Sequence, residues 1–379
     1  MTQPLEILGL VLAGLALVGS GYAMLAADRI RRFRSGPPGE FGQPPAVSVL
    51  KPLHGAEPGL EAALASFGAQ DYPGVVQIVL GLQDPADPAA SLAQAFRATS
   101  RPHAVDVVVD PTPHGANAKV ANLINLSTQA RHDVLVLSDS DISVRPDYLR
   151  RVVSALEAPG AGVVTCPYYG LAVRGFWSRL AAMGVSYQFL PSVAVGVSLG
   201  LATPCMGSTI ALRRSTLAAI GGFVAFADVL ADDYAIGAAV RATGARSVVA
   251  PVLVAHGCAE ASLAELVAHE LRWARTVRGV DPAGFFGSAV THPVPLALLA
   301  CLLLGGGVGW AVLGVALAAR FWLMSAVNRT ADLPPQGWWF LPLRDVLSFG
   351  VFLGALLGRG VEWRGQRYQV DRHGVMSRS

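Results

Sequence analysis

Val134-Leu135-Val136-Leu137-Ser138-Asp139-Ser140-Asp141 is the stretch on which the reading of this chain turns. Four aliphatic residues in a row, with turn residues beyond them, suit a short strand buried on both faces. Two carboxylates two residues apart follow at once. An Asp-x-Asp pair alone is common in solvated turns, so its position after a strand carries the weight. In open α/β sheets, ligands lie beyond the carboxyl ends of the strands.

Working outward, the same alternation repeats. Strands are predicted at Val47 to Leu50, Val75 to Leu82 and Val105 to Val109, with helices at Leu60 to Phe67, Ala89 to Ala98 and Asn117 to Ala130. Strands separated by helices of 10 to 15 residues predict an α/β fold with a mostly parallel sheet. The charged residues gather after strands: Lys51, Pro52 and His54 after the first, Asp84 after the second, Asp139 and Asp141 after the fourth. All fall on one rim.

Oxygen ligands from Asp139 and Asp141 suit a hard divalent cation, Mg²⁺ or Mn²⁺, which can bridge the phosphates of a nucleotide-sugar. Asp232-Asp233-Tyr234 opens a predicted helix, where an acid serves either as a cap or as a general base toward an acceptor hydroxyl. His269, Arg272 and Trp273 share one face of a helix predicted from Ser262 to Arg278. Arg272 there would hold a diphosphate, and Trp273 would wall the sugar or acceptor.

The composition points to a membrane. The chain is 53% hydrophobic and 15% charged over 379 residues, against roughly 25% charged in ordinary soluble domains. A net charge of +3 gives no support for nucleic-acid binding. Leu5 to Ala27 is long enough to span, and Arg29, Arg31, Arg32 and Arg34 follow it. Basic residues after the span predict a cytoplasmic body and an outside N-terminus. Val290 to Val327 reads as two short spans broken near Gly305, and Val346 to Leu357 as a third apolar stretch beside Trp338, Trp339 and Phe340. Between about Ala46 and Arg278 no uninterrupted span is expected. Tyr187 to Leu201 reads as an interfacial element or as core. Arg213 and Arg214 meet phosphates or are merely solvated. Cys166, Cys205, Cys258 and Cys301 are far apart and make no Cys-x-x-Cys pair. The resulting division is an anchor at 1–30, a cytoplasmic catalytic domain at 46–280, membrane segments at 290–358 and a basic tail at 359–379.

The ordered motifs resemble the ceramide glucosyltransferase-like family of inverting glycosyltransferases. These are Val47 to Gly55 (VSVLKPLHG), Asp71-Tyr72-Pro73, Asp84, Asn117 to Leu123 (NAKVANL), Asp139, Asp233, His269-x-x-Arg272-Trp273 and Trp363 to Tyr368. The resemblance implies a glycosyltransferase A-type fold, Rossmann-like with a mixed, mostly parallel sheet, carrying transmembrane helices at both ends. It implies that Lys51, Pro52, Asp84, Lys119 and Asp139 bind a UDP-sugar donor and that Asp139 and Asp141 hold the metal. Asp233, with Arg272, Trp273 and His269, would form the catalytic group. Position 269 is His where the family usually has Gln or Arg, and Asp141 stands where animal members have Gly. Ser138 to Arg151 and His269 to Gly284 are most similar to the bacterial hopanoid-biosynthesis glycosyltransferases. That implies transfer of N-acetylglucosamine from UDP-GlcNAc to a membrane lipid acceptor, bacteriohopanetetrol, at the bacterial inner membrane. The alternatives are ceramide with UDP-glucose, a processive polysaccharide synthase, or a membrane scaffold that binds donor without turnover.

Overall fold

A computed structural model describes residues 3–33, 39, 41–100, 102–333, 337–358, 360–363, 366–370 and 376–378. Arg34, and Arg359, Arg364 and Arg372 of the basic tail, lie outside them, as does Gly365 of the closing motif.

The strands in chain order are β1 (Val47–Pro52), β2 (Val76–Leu82), β3 (Ala104–Val109), β4 (Val134–Leu137), β5 (Ile142–Ser143), β6 (Ala161–Thr165), β7 (Tyr168–Ala172), β8 (Ile210–Arg213), β9 (Arg246–Val249) and β10 (Val254–Cys258). The main sheet has seven strands in the order β3-β2-β1-β4-β8-β6-β9. β3, β2, β1 and β4 run parallel, β8 is antiparallel to both neighbours, and β9 is parallel to β6. The sheet is therefore mixed and mostly parallel. β2 and β4 are buried at every position, as unbroken aliphatic runs require when helices cover both faces. β3 is exposed at both ends, which fits its place at the edge. Separate apolar clusters cover the sheet's two faces, one around Phe67, Ile78 and Tyr148 and the other around Leu50, Leu123 and Ile210.

The reversal at β8 builds the site. Because β4 and β8 are antiparallel and Leu137 pairs with Ile210, the turn leading into β8 sits over the carboxyl end of β4. Gly207 is thereby brought beside Asp139. A second sheet, β5-β10-β7, stands at the same end and pairs His256 with Ile142 and with Gly170. It places His256 beside the Asp-x-Asp turn.

The first helix, Gln3–Arg32, buries Gly9, Ala13, Ala16, Gly19, Ser20, Ala23, Ala26 and Ala27. It exposes Leu5, Ile7, Leu8, Leu10, Val11, Leu17 and Val18. Small residues inward and large apolar ones outward is the pattern of a helix packed in lipid, where close backbone approach drives association. Its partners are the helices Pro293–Leu304 and Gly306–Ala331.

One expectation about the membrane segments is refined and another needs correction. Val290 to Val327 holds one long helix and the second arm of a bent pair. Gly306–Ala331 is a full-length helix, whereas Pro293–Leu304 is too short to cross alone and is bent by 58° from the helical segment Pro282–Thr291. The middle of the chain also contains a long apolar helix, Phe176–Ser198. Pro191 and Gly196 read as breaks in the sequence. A π-helical turn at Val185–Phe189, just before Pro191, instead absorbs the missing N–H and lets the helix continue. Among the described residues, four helices are long and apolar enough to cross a membrane, or up to five if the bent pair is one span. The last, Trp338–Leu356, starts with a 3-10 turn at Trp338–Phe340.

Candidate active site

Lys51, next to last in β1, is fully buried. Its Nζ donates to the Asp139 carbonyl at 2.7 Å and lies 4.0 Å from the centre of the Phe67 ring. Desolvation pulls the ammonium down to about 7, against the opposing pull of Asp141, Asp139 and Glu57. This lysine fixes the backbone of the Asp-x-Asp turn and places charge beneath it. Pro52 is half-buried beside it.

Lys119 lies in the first turn of the helix Ala118–Ser127, whose Asn117 cap accepts from the N–H groups of Lys119 and Val120. The Asn117 amide donates to Val229 O at 2.7 Å, tying this helix start to the loop before Asp232. Lys119 Nζ then reaches Asp139 Oδ1 at 2.6 Å and Asp232 Oδ2 at 3.5 Å. Desolvation opposes its charge, but Asp139, Asp232 and Asp233 outweigh this and hold it firmly protonated.

Asp233 starts the helix Asp232–Ala242. It does not act as a side-chain cap: the cap position is Ala231, and no side-chain capping bond forms. Its Oδ2 accepts from Gly207 N at 2.9 Å and its Oδ1 from Tyr234 N at 2.7 Å. Desolvation, with Asp232 next, raises the carboxyl to about 6 despite Lys119. A carboxylate poised there can take a proton near neutral pH.

Gly207 shows how tightly these groups converge. A Cβ at this position would lie 2.8 Å from Asp139 Oδ2, 2.9 Å from Lys119 Nζ and 3.5 Å from Asp233 Oδ2. Side chains from three distant stretches therefore surround one point, and only glycine leaves it open.

Asp141 turns the other way, toward the small sheet. Its Oδ2 is 3.3 Å from His256 Nδ1. Desolvation would raise Asp141, but His256, Lys51 and Lys119 hold it below the usual carboxylate range. His256 is raised in turn, because Asp141 overcomes the effect of burial. Asp139 is raised by desolvation, which Lys119 only partly offsets. Asp141 Oδ1 is buried and has no hydrogen-bond partner among the described residues. Among those residues no three His, Cys, Asp or Glu side chains form a metal cage. Mg²⁺ and Mn²⁺ sites on nucleotides commonly use only one or two carboxylates, the phosphates supplying the rest. The oxygen set of Asp139 and Asp141, with one buried acceptor unpaired, fits such an ion.

The helix Leu263–Val280 begins at Ser262, whose hydroxyl caps Glu265 N. Trp273 lies 5.6 Å from the His256 ring and 4.5 Å from the His269 ring. The tryptophan thus joins this helix to the Asp-x-Asp turn. His269 Nδ1 meets Glu260 Oε1 at 2.7 Å, which directs it to a structural partner. Arg272 is half-buried, and its guanidinium makes no hydrogen bond or ion pair among the described residues. Desolvation lowers it, while Asp139 and then Tyr168 pull it back up. It is a cation within the field of the rim and free to take an anion.

Asp84 stands at the carboxyl end of β2, on the same rim but exposed, and its Oδ1 accepts only from Ala86 N in its own turn. Among the described residues it makes no hydrogen bond or ion pair with the Asp139 group. Arg213 pairs with Asp133 and Glu157, and Arg214 bonds the carbonyls of His132 and Ala130. Their role is structural. The four cysteines are free. Sequence reasoning quoted Asp232 only beside Asp233 and assigned no role to His256 or Gly207. The double acid at 232–233 and the Gly-Ser before a strand were the available signals.

The chain is similar to known proteins over most of its length. The model of "Glycosyl transferase family 21" matches residues 11–376. Ceramide glucosyltransferase 1 of Caenorhabditis elegans is 22% identical over 338 residues, covering 86% of this chain and 72% of that protein. A ceramide glucosyltransferase of Komagataella phaffii is 32% identical over 116 residues, 29% of this chain and 22% of that protein. Among solved structures, a mannosyltransferase from Pyrobaculum calidifontis in complex with GDP-Man and Mn²⁺ aligns with a TM-score of 0.52 at 20% identity, over 93% of this chain and 98% of that one. That likeness agrees with the expected glycosyltransferase A-type fold.

Proposed function

The chain belongs to glycosyl transferase family 21 and is a glycosyltransferase, and from that premise we propose that it moves a sugar from a UDP donor to a lipid acceptor with inversion. The observation that carries this reading is the convergence of Asp139, Lys119 and Asp233 around Gly207. Lys51, Pro52, Asp84, Lys119 and Asp139 bind the donor, Asp84 toward the base. Asp139 and Asp141 hold Mg²⁺ or Mn²⁺, which when bound neutralises charge on the diphosphate. Asp233 takes the proton of the acceptor hydroxyl as its oxygen attacks the anomeric carbon. Arg272 receives the departing diphosphate, and Trp273 shields the sugar. His269 orients the helix through Glu260 rather than touching the donor. One base and one displacement invert the anomeric carbon.

The acceptor is bacteriohopanetetrol and the donor UDP-GlcNAc, a choice that rests on the likeness of the segments around Asp139 and Arg272 to hopanoid-associated transferases. The second reading is ceramide with UDP-glucose, which the curated relatives favour. The apolar helices support a membrane enzyme, and the arginines in the last turn of the first helix support an inner-membrane protein with residues 46–280 in the cytoplasm. Purified full-length protein should be offered both acceptors with both UDP-sugars and the lipids weighed by mass spectrometry. N-acetylglucosaminyl bacteriohopanetetrol is expected. Product from ceramide and UDP-glucose alone would remove the hopanoid assignment.

A further inference from the structure

At the basic end of the first helix a cavity of about 200 Å³ opens against the helix that ends at Ser198. Its walls include Ile30, Leu190, Val193 and Val197, and Arg29 and Arg32 stand among them. None of the residues assigned above to donor, metal or base lines it.

The two arginines are unequally engaged. Arg32 Nε donates to Asp28 Oδ1 at 2.9 Å. Arg29 Nε is buried, donates to no hydrogen-bond partner among the described residues and is 3.9 Å from the nearest Asp28 oxygen. One carboxylate thus faces two guanidinium groups, which leaves positive charge beside an apolar hollow. The next arginine, Arg31, lies with its guanidinium 4.3 Å from the Trp322 ring centre, and Trp322 is 52% exposed. A Trp and an Arg at one level of a helix bundle mark a headgroup layer. Leu199 and Leu201, just past the cavity wall, are also exposed, Leu201 at 77%. An apolar edge there faces lipid more comfortably than water.

We propose that this cavity is a binding site for one anionic phospholipid, whose phosphate pairs with Arg29 and Arg32 and whose acyl chain enters between Ile30, Val193 and Val197. A neutral lipid would satisfy the walls but leave Arg29 with only its 3.9 Å contact to an Asp28 carboxylate that Arg32 already shares. Basic pockets between membrane helices recognise anionic headgroups on this principle.

The test is native mass spectrometry of the full-length protein in detergent, offered phosphatidylglycerol or phosphatidylcholine with identical chains. Wild type should retain phosphatidylglycerol about tenfold better, in line with two arginines near a headgroup. The double variant Arg29→Gln/Arg32→Gln should lose that preference while keeping its melting temperature. Val193→Trp, which fills the hollow without touching charge, should lower retention of phosphatidylglycerol. Equal retention of the two lipids by wild type would overturn the proposal. So would a preference that survives in the double variant, or retention unchanged in Val193→Trp.

Discussion

Two regions of this molecule bury charge, and they do so in opposite ways. In the membrane-facing bundle, Arg320 and Asp345 are each 4% exposed and pair through two bonds of 2.8 and 2.6 Å, and Arg320 also donates to Tyr187 O. Arg344 bonds Glu270 at 2.6 Å, although its Nε and Nη1 are buried without a hydrogen-bond partner among the described residues. The Arg320–Asp345 pair is closed. At the sheet rim the charges are as dense but left open: among the described residues Asp141 has an unpaired oxygen and the Arg272 guanidinium has no hydrogen bond or ion pair, and Asp139 and Asp233 face a point that Gly207 keeps empty. Closed pairs are what a bundle needs to hold one register. Groups held in place with valences unspent are what a transfer reaction needs.

Asp233→Asn is the sharpest way to break this contrast. It keeps the shape of the rim and removes the base, so transfer should fall by roughly 10²–10⁴-fold, with donor binding and melting temperature unchanged. Undiminished turnover would take Asp233 out of the mechanism. The mirror experiment is Asp345→Leu, which strands a buried guanidinium and should destabilise by about 3–5 kcal/mol. Thermal denaturation in detergent would read this, and the double change Arg320→Met/Asp345→Leu should recover much of the loss. If Asp345→Leu melted normally but failed to transfer sugar, the bundle would be part of the chemistry after all.

Gly207→Ala sharpens the comparison from the rim side. A methyl group 2.8 Å from Asp139 Oδ2 displaces the carboxylate or the lysine, and transfer should drop roughly tenfold to a hundredfold while the fold melts as before. The smallest effect is on pH. Asp233 works as the ionised base and is raised to about 6. Transfer should therefore be level above that value and fall about tenfold per unit below it. A profile flat down to pH 4.5 would mean that another group, or none, takes the proton.

The same contrast explains what could be read from the chain. β4 and its acids were legible because strand and motif are contiguous, and Ser262 announced the start of the helix bearing Arg272 through a local cap. Gly207 was not, since its importance comes from having no side chain and from the antiparallel pairing of β8, which no local period reveals. His256 was a lone histidine until the small sheet placed it against Asp141. The helix Phe176–Ser198 was hidden by Pro191, because a π-turn that rescues a proline has no sequence period of its own.

Whether one base works across this rim is tested most directly by the anomeric configuration of the product, read by NMR from a UDP-α-sugar. A β-linked glycolipid is the outcome expected from a single displacement with Asp233 as base. An α-linked product would demand a second nucleophile or a front-face route, and would contradict the account.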